Sequence, residues 1–380
     1  MSPCLNACAT AEWLRSLCIE LLRENDAYRL EEAISAPIRI VDGTIVREPG
    51  KTGSQWRILY SLKLPSLICD FFDVTATIGE GSGESLKRLP VGPHELILAY
   101  AGYCSIAGIE YVRQHGADVL VRVNPQSFVA YSAHGRRISL LPRLRTLSKV
   151  GQSGEWWVVL HGQGSSFAGR LCAVRKSDCA IQQAHRRLQR KASKKQMITR
   201  RGTLEFAKYV IVFTTRSSGS TADVLRSYRM RWQIELVFKR LKSLAQLGHV
   251  PKHDDRSSRA WVYGKLLVAL LTQKLIRIGA IFPPGATYSQ RTRPTSPWRE
   301  FSFALHQIQQ AIEPHLSLQQ TLFSWNQIAQ ALAENSRNRL LQLANDIPRE
   351  HRSKVPDRNL LPPVTEADRS ATTLFLPDEY

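Results

Sequence analysis

Between Tyr228 and Leu244 apolar residues recur at helical spacing. On a wheel turning about 100° per residue, with Tyr228 at zero, Met230, Ile234, Val237, Leu241 and Leu244 fall between roughly 160° and 240°. Arg231, Glu235 and Lys242 return to roughly −60°, −20° and −40°, beside Tyr228. The pattern predicts one continuous helix from about Thr221, with a buried seam on one side and an exposed stripe on the other. The stripe carries an aromatic hydroxyl, one acid and two cations.

Short apolar runs predict strands at Ile38–Val41, Trp56–Leu62, Ile68–Thr75, Leu96–Ala99 and Val119–Val123. Ile106–His115 has a helical pattern between the last two, as a crossover joining parallel strands requires. Residues 9–35 read as one or two amphipathic helices ended by Pro37. From Asn124 to Thr203, glycine, serine and aromatic residues alternate with strand-like pieces at Trp156–Leu160 and Leu171–Val174. The pair Trp156-Trp157 runs into valines and is expected in the core. Phe206–Thr215 returns to a strand pattern. Ser257–Ile281, Trp298–Ile312 and Leu318–Ala344 read as helices, separated by the turn-prone Pro283-Pro284-Gly285 and Pro294–Pro297. The tail after Pro348 is polar and expected to be mobile.

This order is that of an α/β protein whose sheet is interrupted by a β-rich insertion. The expected division is a helical segment at 1–36, a core of 37–123 and 205–247, an insertion at 124–204 with a basic run, a helical region at 248–350 and a tail at 351–380.

The 380 residues include 52 basic against 32 acidic side chains, a formal charge of +20. Such an excess favours polyanions, and nucleic acid is the expected partner. The most basic run, Arg186–Arg201, has eight Lys or Arg and no acid. It predicts a solvated helix or a contact with a DNA backbone. Seven cysteines form no CxxC pair, which suits reduced thiols rather than a disulfide framework or a zinc site. His249-x3-His253 with Asp254 and Asp255 lacks the framing of a zinc site and reads as a polar loop. The segment Leu266–Phe282 is interrupted by Lys274 and Arg277 and is too short to span a bilayer. No signal-peptide pattern is present, so a soluble cytoplasmic, nucleoid-associated protein without membrane contact is expected.

Tyr228-x2-Arg231-x3-Glu235-x6-Lys242 reproduces four residue types at three fixed spacings. In this the chain resembles insertion-sequence transposases of the DDE type and of the IS-four family, over residues 37 to 280. The resemblance implies an RNase H-like mixed-sheet core with a β-rich insertion and a helical C-terminal region. It also implies cleavage of DNA at transposon ends, strand transfer to target DNA, and a dimer on paired ends. Ile40-Val41-Asp42-Gly43-Thr44 resembles the segment of the first catalytic Asp, at the end of a β-type run, and Glu235 stands at the third position. By the same resemblance Asp42 and Glu235 bind Mg²⁺ or Mn²⁺, and Tyr228, Arg231 and Lys242 contact end DNA. Carboxylates suit this chemistry because paired divalent ions activate the attacking oxygen and stabilise the leaving one.

The second acid is missing. The family carries a segment like Leu-Ala-Asp-x-Gly-Tyr, whereas this chain has Leu98-Ala99-Tyr100-Ala101-Gly102-Tyr103. A neutral phenol does not replace a carboxylate that bridges two ions. Asp118 begins the next strand, at the wrong end of the crossover, and Asp70 and Asp73 read as sheet-edge or turn acids. Only 41 residues precede Asp42, so a truncated end-binding region is expected. The sequence therefore predicts a transposase with impaired cleavage. The alternatives are a DNA-binding relic and a different metal-dependent nuclease using Asp42, Glu235 and another acid.

Overall fold

The computed structural model describes residues 3–27, 37–47, 55–79, 83–125, 127–248, 250, 255–281 and 297–312. In chain order, helix α1 (Pro3–Ala27) precedes strands β1 (Ile38–Arg47), β2 (Gln55–Leu64), β3 (Ile68–Ala76) and β4 (Leu96–Ala99). Then follow α2 (Ile106–Gln114), β5 (Asp118–Arg122), α3 (Leu140–Arg145), β6 (Ser153–His161) and β7 (Ser166–Arg175). The rest is α4 (Asp178–Lys194), α5 (Arg201–Phe206), β8 (Tyr209–Thr214), α6 (Thr221–Arg229), α7 (Trp232–Ser243), α8 (Asp255–Ile281) and α9 (Pro297–Ile312). The strands form one mixed sheet in the order β3-β2-β1-β4-β5-β8-β7-β6. With its helices this is the RNase H-like α/β architecture that the resemblance implies.

The described elements fall into two compact units. One holds β1 up to Val41 and everything from Glu84 to Trp232. There β4 pairs in parallel with β1 and with β5, and β8, β7 and β6 continue the sheet as antiparallel neighbours. Every residue of β4 and β8 is buried, as in strands covered on both faces. The parallel β4-α2-β5 crossover is present, with Ser105 Oγ accepting the Gly108 N–H at the start of α2. Gly116 closes that helix with φ 73°, a left-handed conformation suited to glycine. At the amino end of the parallel strands, Arg39 and Glu95 form a buried ion pair at 2.8 Å. Arg39 also donates to the Pro90 carbonyl, and Glu95 accepts the Gly92 N–H.

The hairpin joining β6 to β7 is gripped by α2. Glu110 accepts hydrogen bonds from the N–H groups of Gln163, Gly164 and Ser165 and from the Ser165 hydroxyl. Burial alone would raise the Glu110 pKa, yet these four donors carry it below the ordinary carboxylate value. A side chain at Gly162 would place its Cβ 2.4 Å from that carboxylate, so a larger residue there would push Glu110 away from the hairpin. On the β6–β7 ribbon, Arg170 forms a two-pronged bond to Glu155 at 2.8 and 2.7 Å, and Thr221 Oγ1 donates to the same carboxylate. This fixes the entry to α6, which Ser220 and Asp223 close with a reciprocal capping box. Trp157, expected in the core, is instead 56% exposed. Strand alternation turns it outward, and β6 is the last strand of the sheet.

The second unit holds α1, β1 from Asp42, β2, β3, α7 from Gln233, α8 and α9. The long helices α1 and α8 pack together, with Cys18 Sγ donating to the Tyr263 carbonyl and Arg259 paired with Glu12. Leu275, Ala304 and Ile308 join α8 to α9 in a small apolar cluster. Tyr60 of β2 is fully buried, stacked edge-on against Phe238 and bonded by Gln273. The described cysteine side chains are all free thiols. Among the described residues no helix is long and apolar enough to cross a membrane. The expected helix at Leu318–Ala344, the tail and the His249/His253 loop lie outside the described residues.

Candidate active site and DNA-end contacts

The helix predicted as continuous is two. α6 ends at Arg229 and α7 begins at Trp232, with a tight turn between them in which the N–H groups of Met230 and Arg231 bond three residues back. Such i→i+3 bonds tighten the last turn and interrupt the 3.6-residue phase. The single exposed stripe is therefore corrected. Tyr228 and Arg231, expected at the surface, are each only 7% exposed.

α7 keeps the predicted seam. Ile234, Val237 and Leu241 are buried, whereas Met230 and Leu244 are half-buried. Glu235 lies in the first turn of this new helix, where the unsatisfied N–H groups favour an anion. Lys242 lies two turns on, on the same side of α7. It is half-buried against Gly248, and burial lowers its pKa.

Asp42 is half-buried and accepts the N–H of Gly43 at 2.8 Å. It does not end its strand as expected: β1 runs on to Arg47. The paired register of β1 and β4 ends at Val41 and Ala99. Asp42 and Tyr100 are the next residues of those two parallel chains. Asp118, by contrast, is in register with Leu96, at the opposite end of β4, and accepts from the Thr215 hydroxyl at 2.7 Å. Asp70 and Asp73 lie on β3, the first strand of the sheet order, as edge acids.

Tyr100 leaves β4 with extended backbone and opens a 3₁₀ turn over Ala101–Tyr103, and its ring is 42% exposed. The guanidinium carbon of Arg231 lies 5.1 Å from the centre of that ring and 5.9 Å from that of Tyr228. Arg231 thus contacts two aromatic rings, a geometry worth about 0.5–2 kcal/mol per contact according to its exposure. Burial pushes the Tyr228 phenol up to about 12, against the pull of Arg231 and Arg122. Its hydroxyl is buried without a partner of hydrogen-bonding geometry among the described residues.

Two relationships had no sequence signal. Arg231 and Tyr100 are far apart in the chain, and the Glu84 carboxylate rests against Gly102, where a Cβ would come within 1.7 Å of Oε2. Among the described residues no three His, Cys, Asp or Glu side chains are grouped as a metal ion would need.

Residues 80–271 match the family model of the transposase DDE domain. Over 264 residues the chain is 31% identical to the transposase for insertion sequence element IS421 of Escherichia coli, covering 67% of this chain and 70% of that protein. It has the same identity and coverage with InsL for insertion sequence element IS186A, and with InsL for IS186B, both of Escherichia coli (strain K12).

Proposed function

The chain belongs to the DDE transposase family, and from that premise we propose that it is an insertion-sequence transposase whose strand cleavage is impaired at Tyr100. Its partner is DNA, and the finer roles rest on the residues above. Asp42 and Glu235 are the catalytic carboxylates of this reading. Tyr228, Arg231 and Lys242 are its contacts to the transposon end. The core is 37–123 with 205–247, interrupted by 124–204 and followed by the helical region. We place the protein in the cytoplasm, on the nucleoid, acting as a dimer on paired ends.

The observation that carries the impairment is the residue at the end of β4. In this family divalent ions generally serve the reaction, and Mg²⁺ or Mn²⁺ would be held here by Asp42 and Glu235, one carboxylate short. Tyr100 instead presents a phenol whose ring lies against Arg231. A phenol offers one oxygen and no carboxylate with which to bridge two ions. The end-contacting role draws support from Tyr228. Its buried hydroxyl has no partner of hydrogen-bonding geometry among the described residues, and a phosphate oxygen is an acceptor that would satisfy it.

The same chemistry favours a second reading, a DNA-binding protein that occupies ends without cutting them. One experiment separates the two. A labelled transposon-end duplex is incubated with Mg²⁺ or Mn²⁺ and either the natural chain or Tyr100→Asp. Cleavage only by Tyr100→Asp supports a transposase disabled at one ligand. Equal cleavage by both removes Tyr100 from the explanation. Binding without cleavage by either selects the occupying role.

A further inference from the structure

We propose that α4 is a second DNA-binding element, docking on the phosphate backbone of duplex DNA irrespective of sequence. This rests on DNA being the partner but involves none of the residues assigned to the transposon end. Ile181 is the one buried residue of α4, and His185 is tied to the Leu204 carbonyl at 2.9 Å. With Ile181 at zero on the wheel, Arg186, Arg187, Arg190, Lys191 and Lys194 lie between roughly 140° and 280°. All five are exposed. The helix is anchored along one side and cationic along the other.

Ordinary solvated helices intersperse acids among such cations, because like charges one turn apart repel. Here Arg186, Arg190 and Lys194 repeat at four-residue intervals, as do Arg187 and Lys191, with no acid from Arg186 to Arg201. The helix dipole rewards the cations of the last turn, Lys191 and Lys194, but not Arg186 or Arg190. A polyanion removes the repulsion and releases its own counterions on binding. Arg186 to Lys194 spans about 12 Å of helix axis, enough to follow about three phosphates of one strand. Met197 and Ile198, 66% and 94% exposed, continue the surface beyond the helix.

The test uses the full chain, a fluorescent duplex of unrelated sequence and a transposon-end duplex, each titrated over a range of salt. The triple variant Arg186→Gln, Arg190→Gln, Lys194→Gln keeps helix-forming residues, and circular dichroism confirms that the helix persists. Removing three phosphate contacts is expected to lower the slope of log K against log salt by about 2 to 3 and to weaken binding to both duplexes by about 10- to 100-fold. A control removes the same charge from exposed positions elsewhere, with Arg136→Gln, Arg137→Gln and Lys149→Gln. An unchanged slope in the α4 variant overturns the proposal, as does an equal loss in the control. A loss confined to the transposon-end duplex also overturns it, since the docking would then be end-specific. Should the natural chain bind neither duplex, the DNA reading itself falls with it.

Discussion

Arg231 sits over the ring of Tyr100 at 5.1 Å, joining the turn after α6 to the end of β4. At the end of β4 this chain has an aromatic ring stacked on a cation. In the function proposed above, that ring stands where a metal-binding carboxylate is expected. Tyr100→Phe should leave stability unchanged, because the ring supplies the attraction. Tyr100→Ala should cost about 0.5–1 kcal/mol, the usual worth of such a contact at a partly exposed site. Urea denaturation of the three proteins measures this, and an Ala variant as stable as the natural chain would remove the stack as an explanation for the ring.

Tyr228 should behave oppositely in stability and in binding. Its hydroxyl is buried with no partner of hydrogen-bonding geometry among the described residues, so Tyr228→Phe should be neutral or stabilising by up to about 1 kcal/mol. The same change should weaken binding to the transposon end, where a phosphate would accept that hydrogen bond. The alkaline limb gives an independent reading. Folding raises this pKa from 10.0 to about 12, so the unfolded chain loses its proton first. The stability held by the neutral phenol is complete below pH 10 and is lost as pH rises towards 12, by about 2 to 3 kcal/mol. Tyr228→Phe should lack that component of the decline.

Much of this fold was legible from local pattern. The strand at Leu96–Ala99 was bounded correctly, and the crossover through α2 followed from a helical pattern between two apolar runs. Those elements are covered on both faces, so burial and sequence agree. The helix at 221–243 was legible in its seam but not in its break. Nothing at Met230 or Arg231 is a helix breaker, and the turn there is stabilised by contacts distant in sequence, including the ring of Tyr100. For the same reason the burial of Tyr228 and Arg231 could not be read from a wheel, which assumes one phase throughout. Trp157 was misread because its valine neighbours suggested a core, whereas its strand is the last of the sheet. The position of Tyr100 directly after the β4 strand was legible, and the Glu84 carboxylate against Gly102 was not.

The buried pair Arg39–Glu95 anchors the amino end of β1 to that of β4, away from the end that leads into Tyr100. Removing one partner strands a buried charge, so Arg39→Ala should cost about 3–5 kcal/mol. Arg39→Met with Glu95→Leu should recover most of that loss, since apolar residues of similar volume leave no charge behind. Denaturation midpoints of the single and double variants test this. A double variant no more stable than the single would mean that the Pro90 and Gly92 hydrogen bonds, rather than the charges, hold this end of the sheet.

The thiols offer a test that reads both units of the fold at once. Burial pushes Cys18 and Cys172 up to about 12 and Cys104 to about 11, and raises Cys69 as well. Only the thiolate attacks an alkylating reagent, and a pKa of about 12 leaves roughly one molecule in ten thousand ionised at pH 8. Cys8 is exposed and Cys179 half-buried, so these two should react with iodoacetamide in the native protein. Cys18, Cys69, Cys104 and Cys172 should react only after denaturation. Mass spectrometry of individual peptides resolves each site. Because Cys18 and Cys69 lie in the unit built on α1 and α8, and Cys104 and Cys172 in the other, the order in which they become reactive in rising urea reports which unit opens first. Simultaneous exposure would mean the two units unfold as one, and native labelling of Cys172 would contradict the burial of β7 in the sheet.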